Sequence, residues 1–122
     1  MIRNFLLVGL GGALGSMLRY GTGVLIGPRE FPLATFLINV TGSFLIGLVV
    51  VSSLTNQQVT EQWKLFLATG LCGGFTTFSA FSLENLQLLQ QGKWPLFLLY
   101  SIGSVLLGLA SAWLAFRIMS TS

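Results

Sequence analysis

The chain has 122 residues, of which 53% are hydrophobic and 7% charged. Soluble domains carry about 25% charged residues, so six Lys/Arg and three Asp/Glu cannot coat a water-facing globule of this length. The composition argues against a soluble enzyme, a disordered chain and a collagen-like chain, and the length fits one domain, residues 1–122. There is no histidine and a single cysteine, Cys72, which removes His-based acid–base catalysis, cysteine-rich zinc sites and any intrachain disulfide. The basic residues are scattered and form no patch, so no nucleic-acid partner is expected.

A bilayer core about 30 Å thick is crossed by about 20 mostly apolar helical residues, and four stretches qualify. The first covers residues 4–26 and is stopped by Gly27-Pro28-Arg29-Glu30-Phe31-Pro32, where two prolines and two charges forbid continuation. The second covers residues 33–54 and ends in the polar run at 55–62. The third, long and irregular, covers residues 63–90 and is followed by the turn Gln91-Gly92-Lys93-Trp94-Pro95. The fourth covers residues 95–117. Trp63, Trp94 and Trp113 fall near span ends, where interfacial aromatics belong. Arg3 before an apolar run resembles the start of a signal peptide, but the three further apolar stretches make a membrane span the better reading. The expected fold is therefore an all-α, multi-pass membrane protein of four helices.

Charge placement bears on orientation. Arg3, Lys64 and Arg117 share one side of a four-span chain, and Arg29 and Lys93 the other, with Arg19 leaning toward the second side. The excess of Lys/Arg that fixes cytoplasmic loops is almost missing. This predicts insertion in both orientations and an antiparallel dimer with its two-fold axis in the membrane plane. A weak bias reinforced by a partner, giving one orientation, is the alternative.

Small and polar residues form rows. Gly11/Gly15, Gly23/Gly27, Ser43/Gly47 and Ser104/Gly108 are each spaced four apart, the interval at which helices approach closely. Thr35, Asn39 and Ser43 share one helical face, as do Tyr100, Ser104 and Gly108, with Ser101 and Ser111 nearby. A buried asparagine in hydrocarbon needs partners; Asn39 suits pore lining and interhelical glue equally. In the third span, Leu71-Cys72-Gly73-Gly74-Phe75-Thr76-Thr77-Phe78-Ser79-Ala80-Phe81-Ser82 sets a glycine pair and two threonines at mid-span, which predicts a helix break. A break in lipid is tolerated only where protein or a cavity satisfies the freed groups, and freed carbonyls are hard ligands able to hold a cation. Taken alone, the Phe78/Phe81 pair reads as lipid-facing or core. Arg19 and Glu84 are intramembrane charges that need a partner or an aqueous vestibule.

Three motifs in order carry a family resemblance. Gly11-Gly12-Ala13-Leu14-Gly15-Ser16 leads to Arg19-Tyr20, Asn39-Val40-Thr41-Gly42-Ser43-Phe44 follows, and then Gly73-Gly74-Phe75-Thr76-Thr77-Phe78-Ser79-Ala80-Phe81. With four spans, small size and balanced charge, the chain resembles the Fluc (CrcB-type) fluoride channels over nearly its whole length. The resemblance implies a dual-topology antiparallel homodimer, among lipids of the bacterial cytoplasmic (inner) membrane, with two pores for passive fluoride efflux that lowers cytoplasmic fluoride toxicity. It implies a fluoride pathway through Asn39, Phe78, Phe81, Ser79, Tyr100 and Ser104, with Phe78 and Phe81 as an aromatic box and Asn39 as an amide donor beside it. Arg19 and Glu84 take vestibule positions. The carbonyls of Gly73 and Thr76, from both subunits, become the ligands of a central structural sodium ion (Na+). Ala80 stands where the motif often has threonine, which removes one hydroxyl from the polar track.

The main rival is a small multidrug-type, proton-coupled exporter of cationic compounds, which is similar in length and span number. Its chemistry requires a carboxylate in the first span, where this chain has Arg19 and no Asp or Glu. A non-transporting membrane subunit explains the glycines but not Asn39, the broken span and the Phe pair together. The glycines at 9, 11, 12 and 15 suggest a dinucleotide loop only superficially, since the third fingerprint glycine falls one position late and no soluble βαβ unit is present to use it. Ser79 and Ser82 lack a histidine to activate them.

Overall fold

The computed structural model describes residues 1–55 and 60–120. The centre of the polar run after the second span, residues 56–59, lies outside the described residues. All regular structure among the described residues is helical. α1 is Ile2–Ile26 and α2 is Leu33–Thr55. A third rod follows in pieces: α3, Glu61–Lys64; a π-helical stretch, Leu65–Cys72; α4, Gly73–Phe75; and α5, Phe78–Gln90. α6, Trp94–Ser120, completes the chain.

Local chemistry sets most boundaries. α1 stops at Gly27, whose φ of +76° suits glycine, and Pro28 and Pro32 flank the connection. Thr60 caps α3 by accepting the Trp63 N–H at 3.3 Å. α5 ends in a Schellman turn around Gly92 (φ +74°), in which Lys93 N–H reaches the Leu88 carbonyl at 2.9 Å and Gly92 N–H the Leu89 carbonyl at 3.0 Å. Proline at the second position of α6 needs no helical donor there.

The rods pack through their small residues. α1 lies against the π-helical stretch and α4, with Gly11 and Gly15 buried. A Cβ on Gly11 would strike the Phe66 carbonyl and the Leu71 nitrogen, and one on Gly74 would strike the backbone of Gly12. α2 runs along α6, where a Cβ on Gly47 would come within 2.9 Å of the Ala112 carbonyl and of Ala115 Cβ. Three of the four small-residue rows therefore meet neighbouring backbone or side chains. The fourth, Gly23/Gly27, does not, because a Cβ added at either glycine would find nothing within 4 Å among the described residues; Gly27 serves the turn instead.

Ile38, Val51, Ala68, Cys72, Leu88, Tyr100 and Ala115 form the small buried core. Much larger apolar residues face outward, Leu25 at 88% exposure and Phe5 at 72% among them. That surface suits hydrocarbon or a second protein and not water. Three stretches among the described residues are long and apolar enough to cross a membrane: Leu33–Leu54, Glu61–Gln90 and Trp94–Met119. α1, at 25 residues, has the length but is not among the three; its glycines and two arginines dilute its apolar character. The expectation of four spans is thus met by three on composition, with α1 as a fourth helix packed on the third rod.

Replacing Gly11 with Ala is expected to destabilise the fold by about 1–3 kcal/mol through overpacking against backbone. Gly23→Ala should be neutral or gain up to about 1 kcal/mol from helix propensity. Thermal unfolding of the detergent-solubilised protein checks the contrast; equal melting of the two variants would contradict this packing.

Candidate functional site

The third rod breaks at Thr76 and Thr77, whose backbones are extended (φ −80°, ψ 157° and φ −151°, ψ 120°). The glycine pair beside them stays helical, and its lack of side chains serves the close approach to α1. The last carbonyls of a helix lose their partners where it stops, and here their fates differ. The Cys72 carbonyl accepts both the N–H and the hydroxyl of Thr76, each at 2.9 Å. Arg19 Nε donates to the Gly74 carbonyl at 3.2 Å, placing a cation at a helix C-terminus. Asn39, on α2, answers the break itself: its Oδ1 accepts the Thr77 N–H at 2.9 Å and its Nδ2 donates to the Thr77 carbonyl at 3.1 Å. Thr77 in turn caps α5, its hydroxyl accepting the Ala80 N–H at 3.1 Å.

The carbonyls of Gly73 and Thr76 are among those that lose their helical donors at the break. The Thr77 N–H would bond the Gly73 carbonyl in an unbroken helix, but it goes to Asn39. The Ala80 N–H would bond the Thr76 carbonyl, but it goes to the Thr77 hydroxyl. Gly73 and Thr76 both border the same groove.

That groove, about 410 Å³, is lined by Asn39, Ser43, Phe78, Phe81 and Ser104 as well as by the break. Phe78 is 78% exposed, and its ring centroid lies 5.9 Å from that of Phe81, the planes tilted by 38°. The Ser104 hydroxyl is buried without a partner among the described residues. Asn39 Nδ2 carries a second hydrogen beyond the one given to Thr77. No carboxylate borders the groove among the described residues. The groove thus presents amide and hydroxyl groups beside two phenyl rings.

The vestibule candidates lie on the other side of Thr77. A cleft of about 290 Å³ is bordered by Arg19, Tyr20, Thr35, Thr77, Ala80 and Glu84. The Glu84 carboxylate accepts the Thr35 hydroxyl at 2.9 Å and the Tyr100 hydroxyl at 2.7 Å. A second hollow, about 370 Å³, leads outward from Glu84 past Arg29, Glu30, Gln87 and Lys93. At its rim, Lys93 and Glu30 pair at 3.3 Å, a partly exposed contact that contributes little stability.

The structure thus gathers Asn39, Phe78, Phe81, Ser104, Gly73 and Thr76 around one groove, and Arg19 with Glu84 around another cavity. Tyr100 and Ser79 are not on the groove. Tyr100 is fully buried, its ring 5.1 Å from that of Phe81, and links that box residue to Glu84. Ser79 pairs its hydroxyl with that of Thr77 at 3.2 Å. Sequence reasoning passed over Thr77 as a side-chain cap and passed over Asn85 altogether, although an asparagine amid apolar residues is the same signal that singled out Asn39.

The family model described as CrcB-like protein, Camphor Resistance (CrcB), matches residues 6–116. The chain belongs to the CrcB-like family. Its relatives cover nearly all of it. A protein of Azobacteroides pseudotrichonymphae genomovar. CFP2 named "Fluoride-specific ion channel FluC" is 44% identical over 95% of this chain and 95% of its own. One of the same name from Thermus thermophilus is 49% identical over 96% and 95%. "Fluoride-specific ion channel FluC 1" of Listeria monocytogenes serovar 1/2a is 46% identical over 93% and 95%.

Asn39→Ala leaves the Thr77 N–H unpaired and removes the side-chain donor to the Thr77 carbonyl, which keeps its helical bond within α5. It is expected to destabilise this CrcB-like fold by about 1–3 kcal/mol, whereas Ser43→Ala should cost less than about 1 kcal/mol. Chemical or thermal unfolding in detergent decides; an Asn39→Ala melt no lower than that of Ser43→Ala would mean the break is held otherwise.

Proposed function

We propose that the chain forms a membrane channel through which fluoride passes down its gradient, and that the groove beside Thr77 is part of the pathway. The observation that carries the reading is the groove's lining: two phenylalanines, one amide, one unpartnered hydroxyl and, among the described residues, no carboxylate. The relatives' names, fluoride-specific ion channels, agree with it.

Fluoride is small and strongly hydrated, so it leaves water only where other donors replace the water's. Asn39 and Ser104 offer polar hydrogens, and ring edges of Phe78 and Phe81 offer weaker positive contacts. None of these is a full charge, so an ion that enters is also able to leave. Arg19 raises the local concentration of anions at the neighbouring cleft. Thr35 and Tyr100 both give their hydroxyl hydrogens to Glu84, which holds that carboxylate in place beside the cleft.

The finer architecture belongs to the same proposal. α1 joins the three apolar spans as a fourth membrane helix, and one domain spans residues 1–122. Two copies associate antiparallel in the bacterial inner membrane, among lipids, with their outward apolar faces in part against one another. The near balance of Lys/Arg between the two sides supports that arrangement. The freed carbonyls of Gly73 and Thr76 fit a structural sodium ion at the dimer centre: two hard oxygens per chain are few for a cation, and a second copy doubles them. Such an ion supplies a fixed positive charge between the subunits.

Liposomes loaded with potassium fluoride and carrying the purified chain test the reading with a fluoride electrode. Rapid fluoride release is expected, with chloride retained. Phe78→Ile or Phe81→Ile should slow release at least about tenfold, the equivalent of ~1.4 kcal/mol in the barrier, while leaving the oligomer intact. Release by both variants at the parental rate would remove the phenyl rings from the pathway.

A further inference from the structure

We propose that Asn85 and Ser101 act as a positioning pair that sets the placement of Phe81 and Phe78 at the groove; the proposal rests on the channel reading above. α5 carries both phenylalanines and is joined to the chain before it by the extended link at Thr76 and Thr77. An extended link transmits no helical phase, so the roll of α5 about its axis must be set by what it packs against. Two polar bridges to α6 do this. Glu84 accepts from Tyr100 at 2.7 Å, and the neighbouring Asn85 accepts, through Oδ1, from Ser101 at 3.1 Å. Both pairs are 16 residues apart in sequence. Glu84 also takes the Thr35 hydroxyl of α2 at 2.9 Å, and because successive helical residues point about 100° apart the Asn85 bridge holds the roll of α5 at a second azimuth.

Asn85 does more than join helices. Its Nδ2 donates to the backbone carbonyl of Phe81 at 3.0 Å, one turn back. Phe78, Phe81 and Asn85 stand at i, i+3 and i+7, on one stripe of α5. The bridge is thus anchored on the box residue and shares its face. Ser101 divides its one hydroxyl hydrogen between Asn85 Oδ1 and the Phe97 carbonyl of its own helix. Asn85 is buried at 9% exposure, with both ends of its amide engaged. Neither Asn85 nor Ser101 borders the groove. Their replacement therefore removes no donor and no ring from the groove and changes only where the rings are held.

Magnitudes separate this role from simple glue. A hydrogen bond between membrane helices contributes on average ~0.6 kcal/mol, a factor of about three, so stability should fall little. A binding constellation must be held within about 0.5 Å, so function should fall more.

The test compares Asn85→Ala, Ser101→Ala, the double variant and Ser101→Thr in liposomes, reading fluoride and chloride efflux, with melting and size-exclusion profiles alongside. Each alanine variant is expected to slow fluoride efflux by about threefold or more and to narrow the fluoride-to-chloride ratio, with the oligomer intact. The double variant should be no worse than the singles, and Ser101→Thr should restore the parental values. Ser101→Ala carries the test if Asn85→Ala does not fold. Parental rates and ratios in all variants would overturn the positioning role alone. So would losses that follow the folded fraction with an unchanged ratio. A parent chain that releases no fluoride would instead overturn the channel reading.

Discussion

A main chain that ceases to be helical inside an apolar layer leaves N–H and C=O groups that hydrocarbon cannot satisfy. In this protein the side-chain amide of Asn39 supplies a partner at the break, accepting the Thr77 N–H and donating to the Thr77 carbonyl. The rest of the site depends on that pair. By taking the Thr77 N–H it strips the Gly73 carbonyl of its helical donor, and by fixing Thr77 it lets that hydroxyl cap α5 and strip the Thr76 carbonyl likewise. The new helix then begins at Phe78, at the lip of the groove.

The break also divides the polar space. One side holds the groove, with rings, an amide and a hydroxyl and, among the described residues, no carboxylate. The other holds Arg19 and Glu84, each already engaged: Arg19 with the Gly74 carbonyl, Glu84 with two hydroxyls. Tyr100 spans the two, its ring against Phe81 and its hydroxyl on Glu84. Strong charge is thus kept beside the groove and weak donors within it.

Much of this was legible in the residues. Prolines at 28 and 32 and Gly92 marked helix limits that the structure reproduces within a few positions, because these residues act locally through φ and a missing donor. Asn39, Ser43, Phe78, Phe81 and Ser104 converge on one groove, as their shared helical faces allowed. What escaped depended on how helices sit against each other. The glycine pair and the two threonines together predicted the break; Gly74 packs against Gly12 and stays helical, and the interruption falls on the threonines. Gly23 and Gly27 had the spacing of a packing row but meet nothing among the described residues. Tyr100 shares a face with Ser104, but its length carries its hydroxyl past the groove to Glu84. The Asn85–Ser101 bridge needed the roll of α5 on α6, which no periodicity within either helix reveals. The π-helical stretch ahead of the break likewise reflects tertiary fit and has no local sequence mark.

The most direct measurement is the reversal potential of the current carried by the purified chain in a planar bilayer, with fluoride on one side and chloride on the other. A pathway of phenyl edges and neutral donors predicts a current whose reversal tracks the fluoride gradient and ignores chloride. A reversal set by chloride or by cations, or a bilayer that stays silent, would contradict it.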